Sequence, residues 1–69
     1  MHKYELVIYW SSDDEAFVVQ VPDLPGCMAH GDTPASAAEQ AQEAIELWID
    51  TARVDGVAVP SPRRHRELV

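Results

Sequence analysis

The sequence predicts an α+β fold: a three-stranded antiparallel sheet with one long helix on one face and a short fourth strand after it, in the order β-β-β-α-β. Two runs rich in β-branched and aromatic residues, Lys3 to Trp10 and Ala16 to Val21, alternate with a period of two and are parted by the polar Ser11-Ser12-Asp13-Asp14. That is the pattern of a β-hairpin. From Pro34 to about Asp55 the apolar residues switch to the three-and-four spacing of a helix. Between the two patterns, Val21 to Ala37 (VPDLPGCMAHGDTPASA) concentrates prolines and glycines that steer the backbone twice within a few residues.

The first strand places Tyr4, Leu6, Ile8 and Trp10 on a dry face and Lys3, Glu5, Val7 and Tyr9 on a mixed one. The second sets Phe17, Val19 and Val21 opposite Ala16, Val18 and Gln20. Cys27 to Gly31 reads as the third strand, joined to the second by a connection short enough to favour antiparallel pairing. Thr33 suits the N-cap of the helix and Pro34 its first position, where a missing N–H costs nothing. Along the helix, Ala38, Ala41, Ile45, Trp48 and Ala52 form a stripe widened by Ala37, Ala44 and Ile49, with Trp48 expected as the bulkiest contact to the sheet. Gly56 fits the C-cap, Val57 to Val59 the fourth strand, and Pro60 and Pro62 end regular structure.

Residues 1–62 thus form one domain, followed by a basic tail at 63–69 carrying Arg63, Arg64 and Arg66. A 69-residue chain buries only about 60% of its unfolded surface. Its single Cys27 excludes an internal disulfide, leaving oligomerisation as the expected staple. One helix covers one sheet face only, so Val7, Tyr9 and Val18 on the other are the expected oligomer interface. No 18-residue apolar run and no secretory signal are present, and a cytoplasmic chain is the expectation. Twelve acids against five bases give a net charge of −7, which argues against direct nucleic-acid binding and for a basic partner.

Reactive chemistry finds little footing. Cys27 and His30 have a spacing used in metal sites, but no second pair accompanies them, and on a strand the two point to opposite faces. Neither a phosphate-binding glycine loop nor a nucleophile elbow occurs. No catalytic residue, metal or cofactor is expected. A metal-dependent nuclease built on Asp13, Asp23 and Glu43 stays open as an alternative class, as does an oligomeric scaffold. Two features suit a protein partner: Asp23 and Leu24 on the proline-bracketed turn, and the helix face of Glu39, Glu43, Glu46 and Asp50, spaced four, three and four apart.

The hairpin, VPDLPGC, HGDTPASA, the helix QAQEAIELWID and the closing DGVAVPSP together resemble the HicB-like antitoxin family across Tyr4 to Pro62. Ala35, Ser36 and Ala37 stand where that family carries acids at the helix start, which weakens the expected capping box. The resemblance implies a partial ribonuclease-H-like fold without its metal cluster. It also implies a non-enzymatic, oligomeric protein, dimer or tetramer, that covers a small basic HicA-type ribonuclease toxin. Longer members add a DNA-binding domain; a chain ending at Val69 is expected to be the short form.

Overall fold

In the computed structural model, residues 3–62 are described; the basic tail 63–69 lies outside them. Three strands, β1 (Val7–Ser11), β2 (Ala16–Gln20) and β3 (Met28–Gly31), precede one helix, α1 (Pro34–Asp55). The sheet is antiparallel in the order β1-β2-β3. Its registers set Tyr9 opposite Val18 and Val18 opposite His30, and in the next row Ile8 opposite Val19 and Val19 opposite Ala29.

Local chemistry accounts for each boundary. Ser11 donates its hydroxyl to Asp14 (3.0 Å) and accepts from the Asp14 amide (3.3 Å), closing the hairpin turn, while Glu15 leaves it with φ 51°. In the Pro-Asp-Leu-Pro-Gly loop the Leu24 amide donates to the Val21 carbonyl, the Cys27 amide to that of Leu24, and the Val21 amide to that of Cys27. Two linked turns result, and the second needs the positive φ of Gly26 (80°). Thr33 caps α1, with its hydroxyl accepting from the Ser36 amide at 3.0 Å. Ser36 returns the bond by accepting from the Thr33 amide at 3.1 Å, so a serine closes the capping box that the missing acids seemed to weaken. Gly56 caps the other end in the left-handed region (φ 74°).

The helix lies mainly over β3, less over β2 and least over β1. Its buried ridge is Ala37, Ala41, Ile45, Ile49 and Ala52. The alanine half meets Val19 and Ala29. The bulkier half packs Ile45 and Ile49 with Tyr4, Val21, Leu24 and Cys27. Close approach at the alanine end is what Gly31 permits: a Cβ there would stand 2.3 Å from the Ala37 amide nitrogen. Its reason for being glycine is therefore contact with the helix; a positive φ is found at Gly26 and Gly56 instead.

Three expectations are corrected. Regular pairing of the first strand begins at Val7, and Ile8 and Trp10, assigned to the dry face, are exposed because α1 is displaced toward β3. Trp48 sits at the rim, half-buried, its indole N–H donating to the Pro25 carbonyl at 2.9 Å; the fully enclosed centre of the helix is Ile45. Val57 to Val59 forms no fourth strand: after the Gly56 cap the chain returns irregularly, packing Val59 on the core while the Tyr4 hydroxyl donates to the Pro60 carbonyl.

Candidate functional site

Helical geometry separates α1 into two functional sides. At 100° per residue, Glu39, Glu43, Glu46 and Asp50 fall within a narrow stripe about 150° round the helix from the buried ridge. All four are exposed, and Glu46 is also engaged in an interaction of its own. This stripe brings together four of the expected partner-binding residues on one straight edge about 16 Å long.

Between that stripe and the sheet runs a groove bounded by the outer edge of β3, which pairs with no strand among the described residues. One part of the groove, about 450 Å³, is lined by Gly26, Cys27, Met28, Leu47, Trp48 and Val57, among others. Its continuation along β3, about 550 Å³, is bordered by Met28 and His30 from the strand and Gln40, Glu43 and Leu47 from the helix. Glu43 therefore belongs to both the acidic stripe and the groove wall. The apolar floor is exposed, with Met28, Leu47 and Val57 all open to solvent. Sequence patterning passed over Met28 and Leu47; the available signal was that Leu47 lies far off the buried stripe, in a position a soluble helix fills with a polar residue.

The other expected contact residues are placed differently. Leu24 is fully buried in the core and Asp23 is buried and engaged, because the two linked turns fold the loop tip inward onto Ile45 and Ile49. Neither is presented to a partner. Val18 does share a face with Val7 and Tyr9, as its register requires, but is only 2% exposed between its cross-strand neighbours Tyr9 and His30, while Val7 and Tyr9 stay open. Gln20 donates to the Tyr9 hydroxyl at 3.3 Å, further covering the middle of that face.

For reactive chemistry, Asp13 lies in the hairpin turn, Asp23 in the loop and Glu43 on the helix surface. Among the described residues no group of three or more His, Cys, Asp or Glu side chains is gathered to hold a metal. Burial pushes the Cys27 thiol above its ordinary pKa, which opposes a nucleophilic thiolate. His30 and Asp14 approach to 4.0 Å, both more than half exposed, a pairing of little energetic weight. No helix among the described residues is long and apolar enough to cross a membrane.

Comparison with known proteins gives a family. Residues 4–69 match the family model described as the HicB-like antitoxin of bacterial toxin-antitoxin systems. A UPF0150 protein of Synechocystis sp. is 34% identical over 58 residues, spanning 84% of this chain and 78% of that protein. Another UPF0150 protein, from Thermoplasma acidophilum, is also 34% identical over 58 residues, covering 84% of this chain and 83% of its own. An uncharacterized 14.9 kDa protein from the rep-hol intergenic region of Haemophilus phage HP1 shares 40% over 47 residues, which is 68% of this chain and 35% of the phage protein.

Proposed function

The chain belongs to the HicB-like antitoxin family, and on that premise we propose that it binds and neutralises a small basic HicA-type ribonuclease toxin, without enzymatic activity of its own. The observation that carries the reading is the coincidence, at Glu43, of an acidic helix stripe with an apolar groove along an unpaired strand edge. A basic RNA-binding surface must attract phosphate, and a carboxylate stripe competes for the same cations. The groove adds what charge lacks: Met28, Leu47 and Val57 offer apolar contact, and the outer edge of β3, paired with no strand among the described residues, offers its backbone to an extended segment. The reading places the protein in the cytoplasm as a homo-oligomer, dimer or tetramer. It also includes a partial ribonuclease-H-like relationship, which the β-β-β-α order supports.

The test uses a purified HicA-type ribonuclease, taken from the neighbouring reading frame if one is encoded there. Titration of one into the other should show a complex and should abolish RNA cleavage by the toxin. Glu39→Lys and Glu43→Lys should each weaken binding about tenfold, mostly through a slower, less salt-sensitive association. Unaltered inhibition by the double variant, with its fold intact by circular dichroism, would remove the acidic face from the mechanism; absence of any complex would remove the toxin.

A further inference from the structure

The opposite edge of the sheet has a different character. In β1, which among the described residues pairs on one side only, Val7, Ile8, Tyr9 and Trp10 are 43%, 38%, 42% and 53% exposed, four consecutive apolar residues open on both faces of the strand. From Leu6 to Ser12 there is no charged residue, and the lysines, prolines and bulges that protect edge strands are absent from β1. The cause is the placement of α1 over β3, which leaves Ile8 and Trp10 exposed on the helix side, Trp10 meeting Phe17 edge-on at 5.1 Å.

We infer that β1 is the site at which a second copy of this chain adds, antiparallel and about a two-fold axis at Tyr9, to make one continuous six-stranded sheet. This rests on the homo-oligomer already proposed and assigns its surface. Charge selects the occupant. A basic partner gains nothing at a neutral strip, whereas a copy carrying −7 is repelled elsewhere and meets no carboxylate within β1, the register setting Glu5 opposite the second copy's Asp13 only beyond the ends of the paired strand. Symmetry fixes the register. A two-fold relating antiparallel neighbours is perpendicular to the sheet and preserves its faces, so paired residues must have numbers of the same parity. Centring on Tyr9, the midpoint of Val7–Ser11, pairs the whole strand. Ile8 then stands opposite the second copy's Trp10, and the two Tyr9 residues meet on the other face.

The four apolar residues expose about 350 Å² a side, given the roughly 150–250 Å² that an aromatic side chain can bury. That is close to half of the about 800 Å² each partner contributes to a stable interface, before the paired backbone, Leu6 and Ser11 are added. Both helices would lie on one face of the joined sheet, with the two β3 edges at its far ends. The dimer therefore leaves both acidic grooves free.

Sedimentation of the full chain at micromolar concentration is the test, with Ile8→Lys and Trp10→Lys against the surface control Val54→Lys, at a helix residue 86% exposed. Wild type and Val54→Lys should sediment at twice the chain mass, and the two β1 variants at the monomer mass with unaltered far-ultraviolet circular dichroism. Mild oxidation of Tyr9→Cys should give a covalent dimer, since directly paired Cα atoms lie within disulfide reach; wild type, whose one thiol is buried, should not. A monomeric wild type overturns both the oligomer and this surface. A dimer indifferent to both lysines overturns the surface alone, and failure of Tyr9→Cys to cross-link while the dimer persists overturns the register.

Discussion

Gly31→Ala should be among the most damaging one-carbon changes in this protein. The added Cβ would lie 2.3 Å from the Ala37 amide nitrogen, 2.5 Å from the Ser36 hydroxyl and 2.6 Å from the Ala37 Cα, whereas ordinary contact begins at 3.4 Å. Two of these three atoms are backbone, so a rotamer change cannot relieve the clash. The first turn of α1 would have to retreat by about 1 Å, loosening Ala37 and Ala41 from Val19 and Ala29 and straining the Thr33–Ser36 capping box. Overpacking of this kind costs about 1–3 kcal/mol, and a compromised cap about 1 more. The expected loss is about 2–4 kcal/mol. For a domain of this size, whose whole stability is about 3–9 kcal/mol, the melting temperature should fall by about 10–25 °C. Gly26→Ala is the control: its Cβ would meet nothing within 4 Å, and only the positive φ of 80° opposes it, at about 1–2 kcal/mol. Thermal and urea unfolding at one fixed protein concentration measures both, since any oligomer makes the midpoint concentration-dependent. If Gly31→Ala is no worse than Gly26→Ala, the close approach of helix and sheet is wrong.

Other outcomes follow from the core and the thiol. Ile45→Ala should cost about 2–5 kcal/mol because the residue is fully enclosed, while Trp48→Phe, losing mainly the bond to the Pro25 carbonyl, should cost about 0.5–1.5 kcal/mol; the reverse order in urea unfolding would return the central contact to Trp48. Cys27 should resist alkylation in the native protein and react once it unfolds; rapid native labelling would place the thiol outside the core. Burial raises the folded thiol's pKa, so the folded state holds its proton where the unfolded state has lost it. Its contribution is complete at neutral pH and declines as pH rises past about 8.5, the ordinary thiol value; a Cys27→Ala variant should lose that part of the alkaline slope, and an unchanged slope would show the thiol does not cause it.

Much of this architecture was written locally and could be read directly. Alternation in the two strand runs, the Thr33-Pro34 start and the Gly56 stop of α1, and the turn chemistry around Gly26 each depend on residues a few positions apart, so their signals survive without knowledge of the fold. The charge stripe from Glu39 to Asp50 is equally a property of one helix and its pitch. The lateral position of α1 is not. It depends on where Ala37, Ala41 and Gly31 let the backbones touch, a pairing between segments, and it decides that Ile8 and Trp10 stay wet, that Ile45 replaces Trp48 at the centre, and that a groove opens beside β3. Asp23 and Leu24 show the same division: their prolines announce a rigid loop, but whether its tip points out or in is set by the space that Ile45 and Ile49 leave unfilled. Sequence periodicity names which face of an element is apolar; only tertiary packing determines how much of that face its neighbour covers, because coverage is fixed by the offset between elements and not by the order of residues within either one.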